Sequence, residues 1–98
     1  MSELKTVKTG LDGFQGDAHL VQLPQPVALD YDDEYKTAYY IVSGTVAMFT
    51  GWEVLVFPSN EKGEIVSWGE VAGGRGIGMD DAKQRIWEKY LEATNEPN

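Results

Sequence analysis

The sequence contains no cysteine and a single histidine, His19. Without cysteine the chain can form neither a disulfide framework nor a thiolate zinc site, and it has no thiol nucleophile. One histidine cannot build a histidine-based metal cluster, so we interpret His19 as a half-buried strand residue. The sequence therefore predicts no metal site and no cofactor. No serine stands in a GxSxG pattern and nothing singles out a catalytic pair among the sixteen acidic residues, so no catalytic residues are predicted.

Long apolar runs are lacking as well. No stretch of 18 apolar residues exists, and the first ten residues, MSELKTVKTG, do not contain the apolar segment of a signal peptide. We therefore expect a soluble cytoplasmic protein that binds no membrane.

Basic residues are scarce, since sixteen acidic residues stand against eight Lys and Arg and give a net charge of −8. A surface of this sign repels nucleic-acid phosphates, so direct nucleic-acid binding is not expected. The same charge attracts a basic surface of another protein. The alternative interpretation is that the charge only keeps a small protein in solution.

The chain of 98 residues is long enough for one domain, and 42% hydrophobic residues are enough for a packed core. We divide it into an irregular lead-in (1–17), a sheet (18–72), a glycine-rich connector (73–79) and a helix (80–94). The predicted fold class is α+β, with an antiparallel β-meander of about four strands and one C-terminal amphipathic helix packed on one face.

The meander is predicted from runs of β-branched and aromatic residues that are separated by turn signals. Pro24 and Pro26 are expected to end the regular pairing of the first run, which we interpret as an edge strand that runs into Val27-Ala28-Leu29. Ser43-Gly44 is interpreted as a β-bulge or bend, and Pro58 is expected to end the third run. The four runs are Ala18–Leu23, Lys36–Phe49, Trp52–Phe57 and Ile65–Val71.

The helix is predicted from apolar residues at helical spacing after Asp80 and Asp81, one of which is expected to be the N-cap. The apolar face comprises Ala82, Ile86, Tyr90 and Ala93, widened by Trp87 and Leu91.

The densest group of charges is DYDDEY at 30–35. A calcium loop is not indicated, because Tyr35 stands where glycine is needed and Ile41 where the closing glutamate is needed. We consider a solvated turn and, as the functional alternative, a protein-binding patch, because tyrosine is enriched in interfaces and carboxylates select basic partners. The patch comprises Tyr31, Asp32, Asp33, Glu34 and Tyr35.

Glycines surround Arg75 in the stretch before the helix, and backbone N–H groups in such a loop can hold an anion. The two nucleotide patterns GxxxxGK[ST] and GxGxxG are absent, and Asp80 and Asp81 occupy the place where the anion would bind. A connector is the default interpretation, and phosphate or nucleotide binding is the alternative. The alternative ligand-binding residues are Gly74, Arg75, Gly76 and Trp68.

The layout resembles that of small uncharacterised phage-encoded proteins. The resemblance spans about residues 16 to 81 and rests on GDAHLVQL, YYIVSG, the Val-Phe-Pro hairpin before Trp-Gly-Glu, and the glycine-rich stretch before the helix. It implies an accessory protein that is expressed in a bacterial host and acts against host machinery, and it assigns no functional residues.

Two functions are therefore expected. The first is a small acidic non-enzymatic interaction protein that binds a host protein with a basic surface, as an accessory or counter-defence inhibitor. The second is a small-ligand binding or sequestering protein that uses the glycine-rich loop. A homodimer would suit a sheet with two edge strands.

Overall fold

The computed structural model describes residues 4–14, 16–29, 36–47, 51–67 and 74–94. Five strands and one helix follow in the order β1 (Lys5–Lys8), β2 (Ala18–Val27), β3 (Thr37–Ala47), β4 (Gly51–Ser59), β5 (Gly74–Arg75) and α1 (Met79–Thr94). Strands β1 to β4 form an antiparallel meander, and the two-residue β5 extends it beside β4. The predicted α+β meander with one C-terminal helix packed on it is confirmed. No helix within these residues is long and apolar enough to cross a membrane.

Strand β3 is central and buried on both faces, as its sequence predicts. Tyr40 and Val42 belong to the cluster of buried side chains that includes residues of α1. Ile41 points to the opposite face and packs with Ala18 and Leu20. Because successive side chains of a strand alternate between faces, one apolar run supplies both clusters.

Helix α1 covers the first face through Ala82, Ile86 and Tyr90, which are buried as the helical spacing predicts. Leu91 is 43% exposed, so the expectation that it packs on the sheet is wrong. Ala93 is also exposed although it lies on the same side of the helix as Ala82. The last turn of α1 therefore extends past the sheet.

The second face is covered by segments without regular structure. Leu11, Phe14 and Ile65 pack against the cluster of Ala18, Leu20 and Ile41. Phe14 thus connects the glycine-rich lead-in to the core. Gly63 has a positive φ of 85°, and a Cβ there would lie 3.7 Å from Leu11 Cδ2. The turn around Gly63 thus closes over the same face.

The lead-in is not wholly irregular, because Lys5–Lys8 form β1. This strand pairs with β2 through Lys5–Gln22, Thr6–Val21 and Lys8–Leu20, with a bulge between Thr6 and Lys8. All four residues of β1 are exposed. The segment KTVK therefore has no buried apolar face to reveal it in the sequence, and its pairing depends on β2.

The regular pairing of β2 ends before its prolines, as expected, and the strand continues to Val27. Its pairing with β3 stops at Gln22–Tyr39 and resumes at Val27–Thr37. The expectation of an edge strand is wrong over Leu20–Gln22, where β2 has a neighbour on each side. The pairing of β1 with β2 reaches only as far as Lys5–Gln22, so the prolines lie in the part of β2 that is not paired with β1.

Pro58 lies inside β4, so the expectation that it ends the strand is wrong. It pairs with Tyr40, and its carbonyl oxygen accepts a hydrogen bond from Val66 N on the other side of β4. In an antiparallel strand the N–H and C=O of one residue point to the same side. The missing N–H of Pro58 therefore points away from β3 and removes no bond of that ladder.

Two further strand predictions are corrected. The pairing of β3 with β4 is continuous from Tyr39–Ser59 to Ala47–Gly51, so Ser43-Gly44 is not a bulge. Gly44 N instead donates to Asp17 O at 2.8 Å and continues the ladder with β2. Of the predicted strand 65–71, Ile65 makes a single bridge to Ser59 and residues 66–67 form no strand, while residues 68–71 lie outside the described residues.

Candidate interaction surfaces

The predicted protein-binding residues Tyr31, Asp32, Asp33, Glu34 and Tyr35 lie outside the described residues. The strands that flank this segment are described. Val27 of β2 pairs with Thr37 of β3, and Leu29 is buried in the core. The described residues that flank 30–35 therefore lie at one end of the sheet.

The turn after β4 lies at the same end of the sheet. Thr37 Oγ1 donates to Ser59 O at 2.7 Å, which joins the start of β3 to the end of β4. The connection 28–36 and the turn 60–64 thus follow paired strand ends, and we call them together the acidic end. They contain six acidic residues and two lysines in the sequence, which supply four of the eight net negative charges.

Asn60 organises the turn of the acidic end. Its Oδ1 accepts hydrogen bonds from Lys62 N at 2.9 Å and Glu64 N at 3.0 Å. Its Nδ2 donates to Glu64 Oε1 at 2.9 Å, and Gly63 provides the positive φ. Such side-chain bonds to the backbone hold a turn in one conformation. The exposed Glu61 and Glu64 are therefore presented on a fixed loop.

The glycine-rich loop of the second expected function is largely used by the fold. Gly74 and Arg75 pair with Val54 and Glu53 as β5. The guanidinium of Arg85 approaches Gly74, since a Cβ at this position would lie 2.9 Å from the terminal nitrogen Nη1. Gly76 has a φ of 69°, which favours glycine. Trp68 lies outside the described residues.

The start of α1 already holds an anionic group. Gly78 O accepts the first helical bond from Ala82 N, which makes Gly78 the N-cap in place of the predicted Asp80 or Asp81. Asp81 Oδ2 accepts a bond of 3.0 Å from Gly78 N, as in the reciprocal half of a capping box. A bound phosphate would have to compete with this carboxylate.

His19 lies in β2 with its side chain 17% exposed, and its interpretation as a half-buried strand residue is confirmed. Its Nε2 is 3.4 Å from Asp17 Oδ2, whereas its Nδ1 is buried without a hydrogen-bond partner. In the described part of the chain, no group of three or more His, Cys, Asp and Glu is placed to hold a metal ion.

A basic surface that sequence reasoning missed lies at the other side of the meander. Lys5 and Lys8 are the first and last residues of the edge strand β1, and Lys83 of α1 donates to Thr6 Oγ1 at 3.1 Å. We call these three lysines and the open side of β1 the basic edge. The sequence signal was two lysines around an exposed Thr-Val pair, which is a common pattern of edge strands. The contribution of Lys83 depends on the tertiary fold.

Comparison with known proteins gives no relative: no family model, curated protein or solved structure matches this chain.

Proposed function

We propose that this chain is a small acidic, non-enzymatic interaction protein that binds a basic surface of a host protein. The observation that carries the proposal is the acidic end, where two loops at one end of the sheet hold half of the net charge. Tyr31, Asp32, Asp33, Glu34 and Tyr35 provide its central contacts.

Charge and chemistry support this function. Carboxylates gathered on adjacent loops steer a basic partner into contact, and the two tyrosines add apolar area with hydrogen-bonding hydroxyls. Proteins that handle nucleic acids carry the matching basic surface. The biological role we propose is that of a phage accessory or counter-defence inhibitor that occupies such a surface.

Four exposed carboxylates among the described residues, at the acidic end and outside it, support the proposal, because no ion pair neutralises them. Asp12, Glu61, Asp80 and Glu92 are exposed, and no ion pair is formed by these four side chains within the described residues. The field of the protein is therefore available to an external partner.

The test is a pull-down from bacterial lysate at low and high salt, followed by identification of the retained proteins. The triple variant Asp32→Lys, Asp33→Lys, Glu34→Lys has a net charge of −2, from the original −8. The matched control, Asp12→Lys, Glu88→Lys, Glu92→Lys, has the same net charge and changes exposed acids outside the acidic end. We expect one basic, nucleic-acid-handling protein to be retained at low salt, lost with the triple variant and kept by the control.

Equal retention by both triple variants would reject the acidic end as the binding site and leave only a general charge effect. If no protein is retained, ligand-induced melting shifts across a nucleotide panel decide whether the chain binds a small phosphate ligand instead. Arg75→Ala would then abolish the shift. The bond between Asp81 and Gly78 makes this second function the less favoured one.

A further inference from the structure

Strand β1 has an open side. Among the described elements it pairs with β2 alone, and all four of its residues are exposed. An edge strand of this kind presents backbone N–H and C=O groups that an additional strand can use. Addition of a peptide strand to an exposed edge is a common mode of recognition, in which the backbone bonds give affinity and the side chains give specificity.

The charge of the basic edge selects the partner. Lys5, Lys8 and Lys83 are three of the eight basic residues in a chain whose net charge is −8. Lys83 is directed at β1, because its Nζ donates to Thr6 Oγ1. A strand added beside Thr6 would therefore meet lysine on α1 as well as on β1, and acidic side chains complement this arrangement.

Helix α1 adds an apolar contact to the basic edge. Lys83 contacts β1 at one edge of the sheet, while Arg85 approaches Gly74 of β5 at the other edge. Trp87 follows Lys83 by about one helical turn, so it lies on the flank that faces β1. It is partly buried against the core and stacks on Tyr90 with ring centroids 5.1 Å apart. Its remaining surface can pack against an apolar residue of an added strand.

A second copy of this chain is a poor occupant of the same edge. Symmetric antiparallel pairing of two β1 strands places Lys5 of each copy opposite Lys8 of the other. Like charges in directly opposed positions destabilise a strand pair. The lysines thus discourage self-pairing and leave the edge open to a segment of opposite charge.

We propose that the basic edge binds an extended acidic segment of a partner protein, which adds to the sheet as a strand beside β1. This surface is distinct from the acidic end and has the opposite charge. The partner segment alternates acidic residues with apolar ones, so that its acids meet Lys5 and Lys8 on one face while its apolar side chains meet Trp87 on the helix face. Lys83, which lies beside Thr6 on the helix face, adds positive charge near the same strand. The protein would then have two binding surfaces of opposite sign.

The test measures the binding of a fluorescein-labelled peptide of alternating glutamate and valine to the full chain by fluorescence anisotropy. A peptide of alternating lysine and valine should not bind. The variant Lys5→Glu, Lys8→Glu should weaken binding by about tenfold or more, as expected for the loss of two ion pairs and the gain of repulsion. Lys83→Glu, outside the strand, should weaken it in the same direction.

Two controls separate strand addition from attraction of charges alone. Lys62→Glu, Lys89→Glu gives the same net charge of −12 at exposed positions away from β1 and should bind like the original protein. A glutamate-valine peptide that is N-methylated at alternate residues keeps its charge but cannot complete the strand hydrogen bonds, so it should not bind. Circular dichroism and urea unfolding verify that each variant is folded.

Four results would overturn the proposal. The first is that the glutamate-valine peptide does not bind, and the second is that it binds the Lys5→Glu, Lys8→Glu variant as tightly as the control variant. The third is that the N-methylated peptide binds as tightly as the unmethylated one. The fourth is a homodimer in light scattering whose β1 amides are protected from hydrogen exchange. Because the Asp32→Lys, Asp33→Lys, Glu34→Lys variant keeps the basic edge, it should bind the peptide normally. Failure of one surface can therefore be distinguished from failure of the other.

Discussion

The Tyr40 hydroxyl joins β3 to β2 where their regular pairing is interrupted. It is buried with the side chain and donates a hydrogen bond of 2.7 Å to Val27 O. The β2–β3 ladder has no regular pair between Gln22 and Val27, so this side chain provides a link where backbone pairs are missing. It also fixes the strand end from which the acidic connection begins.

Tyr40→Phe is predicted to destabilise the protein by about 1 to 2 kcal/mol, because the ring still fills the core while the Val27 carbonyl loses its buried donor. Urea unfolding followed by circular dichroism measures the change. Tyr39→Phe is the control, since the Tyr39 ring is only partly buried and packs on the opposite face. If Tyr40→Phe lowers the free energy of unfolding no more than Tyr39→Phe does, the hydroxyl of Tyr40 contributes no net stability.

The sequence correctly predicts the position of an individual residue where that position depends only on burial of its side chain. Ala82, Ile86 and Tyr90 are buried because their spacing places them on one side of a helix. The N-cap is predicted two or three residues too late, because both aspartates are good caps and the choice depends on where the chain enters the helix. Gly78 takes that position, and Asp81 supports it from inside the first turn.

At the level of elements, the start of α1 depends on Asp81. Its carboxylate accepts a bond from Gly78 N and carries negative charge at the positive end of the helix dipole. Asp81→Ala is predicted to lower the free energy of unfolding by about 1 kcal/mol. Asp80→Ala should cost less, because the exposed Asp80 contributes only its charge.

Chemical denaturation of both variants tests this prediction, and a loss of helical signal at low temperature would reveal fraying of the first turn. A larger effect of Asp80→Ala than of Asp81→Ala would contradict the assignment of Asp81 as the capping partner. Glu92→Ala is a further control at the other end of the helix, where its charge lies unfavourably relative to the dipole.

The sequence predicts the elements with strong periodicity and misses those formed by pairing. The central strand β3 and the helix α1 bury their apolar residues in the expected patterns. Strand β1 has only exposed residues and β5 only Gly74 and Arg75, so neither has a pattern of its own. Both elements form because β2 and β4 offer them unpaired backbone groups.

The acidic end is easier to predict from the sequence than the basic edge, because only the acidic end has a group of charges that are adjacent in the sequence. The acidic residues of 30–35 are adjacent in the sequence and are recognisable as a group without a structure. The hydrogen bond between Thr37 and Ser59, which places the turn 60–64 beside the start of β3, requires the β3–β4 register, and the basic edge requires Lys83 to reach across 77 residues of sequence to Thr6. Surfaces that are assembled by tertiary contacts leave only scattered charges in the sequence.

At the scale of the whole molecule, the excess of negative charge destabilises the folded state through repulsion. The net charge is −8 in a molecule whose radius of gyration is 12.9 Å. This radius is comparable with the screening length of about 10 Å at 0.1 M salt, so the carboxylates repel one another across much of the protein in dilute buffer. Screening should relieve the repulsion.

The midpoint of urea unfolding is therefore predicted to rise when NaCl is increased from about 20 mM to about 500 mM, over which the screening length falls several-fold. The control triple variant, Asp12→Lys, Glu88→Lys, Glu92→Lys, has a net charge of −2 and should respond less to salt. If the midpoint falls with salt, attraction between the basic edge and the acidic groups outweighs their repulsion. The charges would then stabilise the fold instead of being held available for partners.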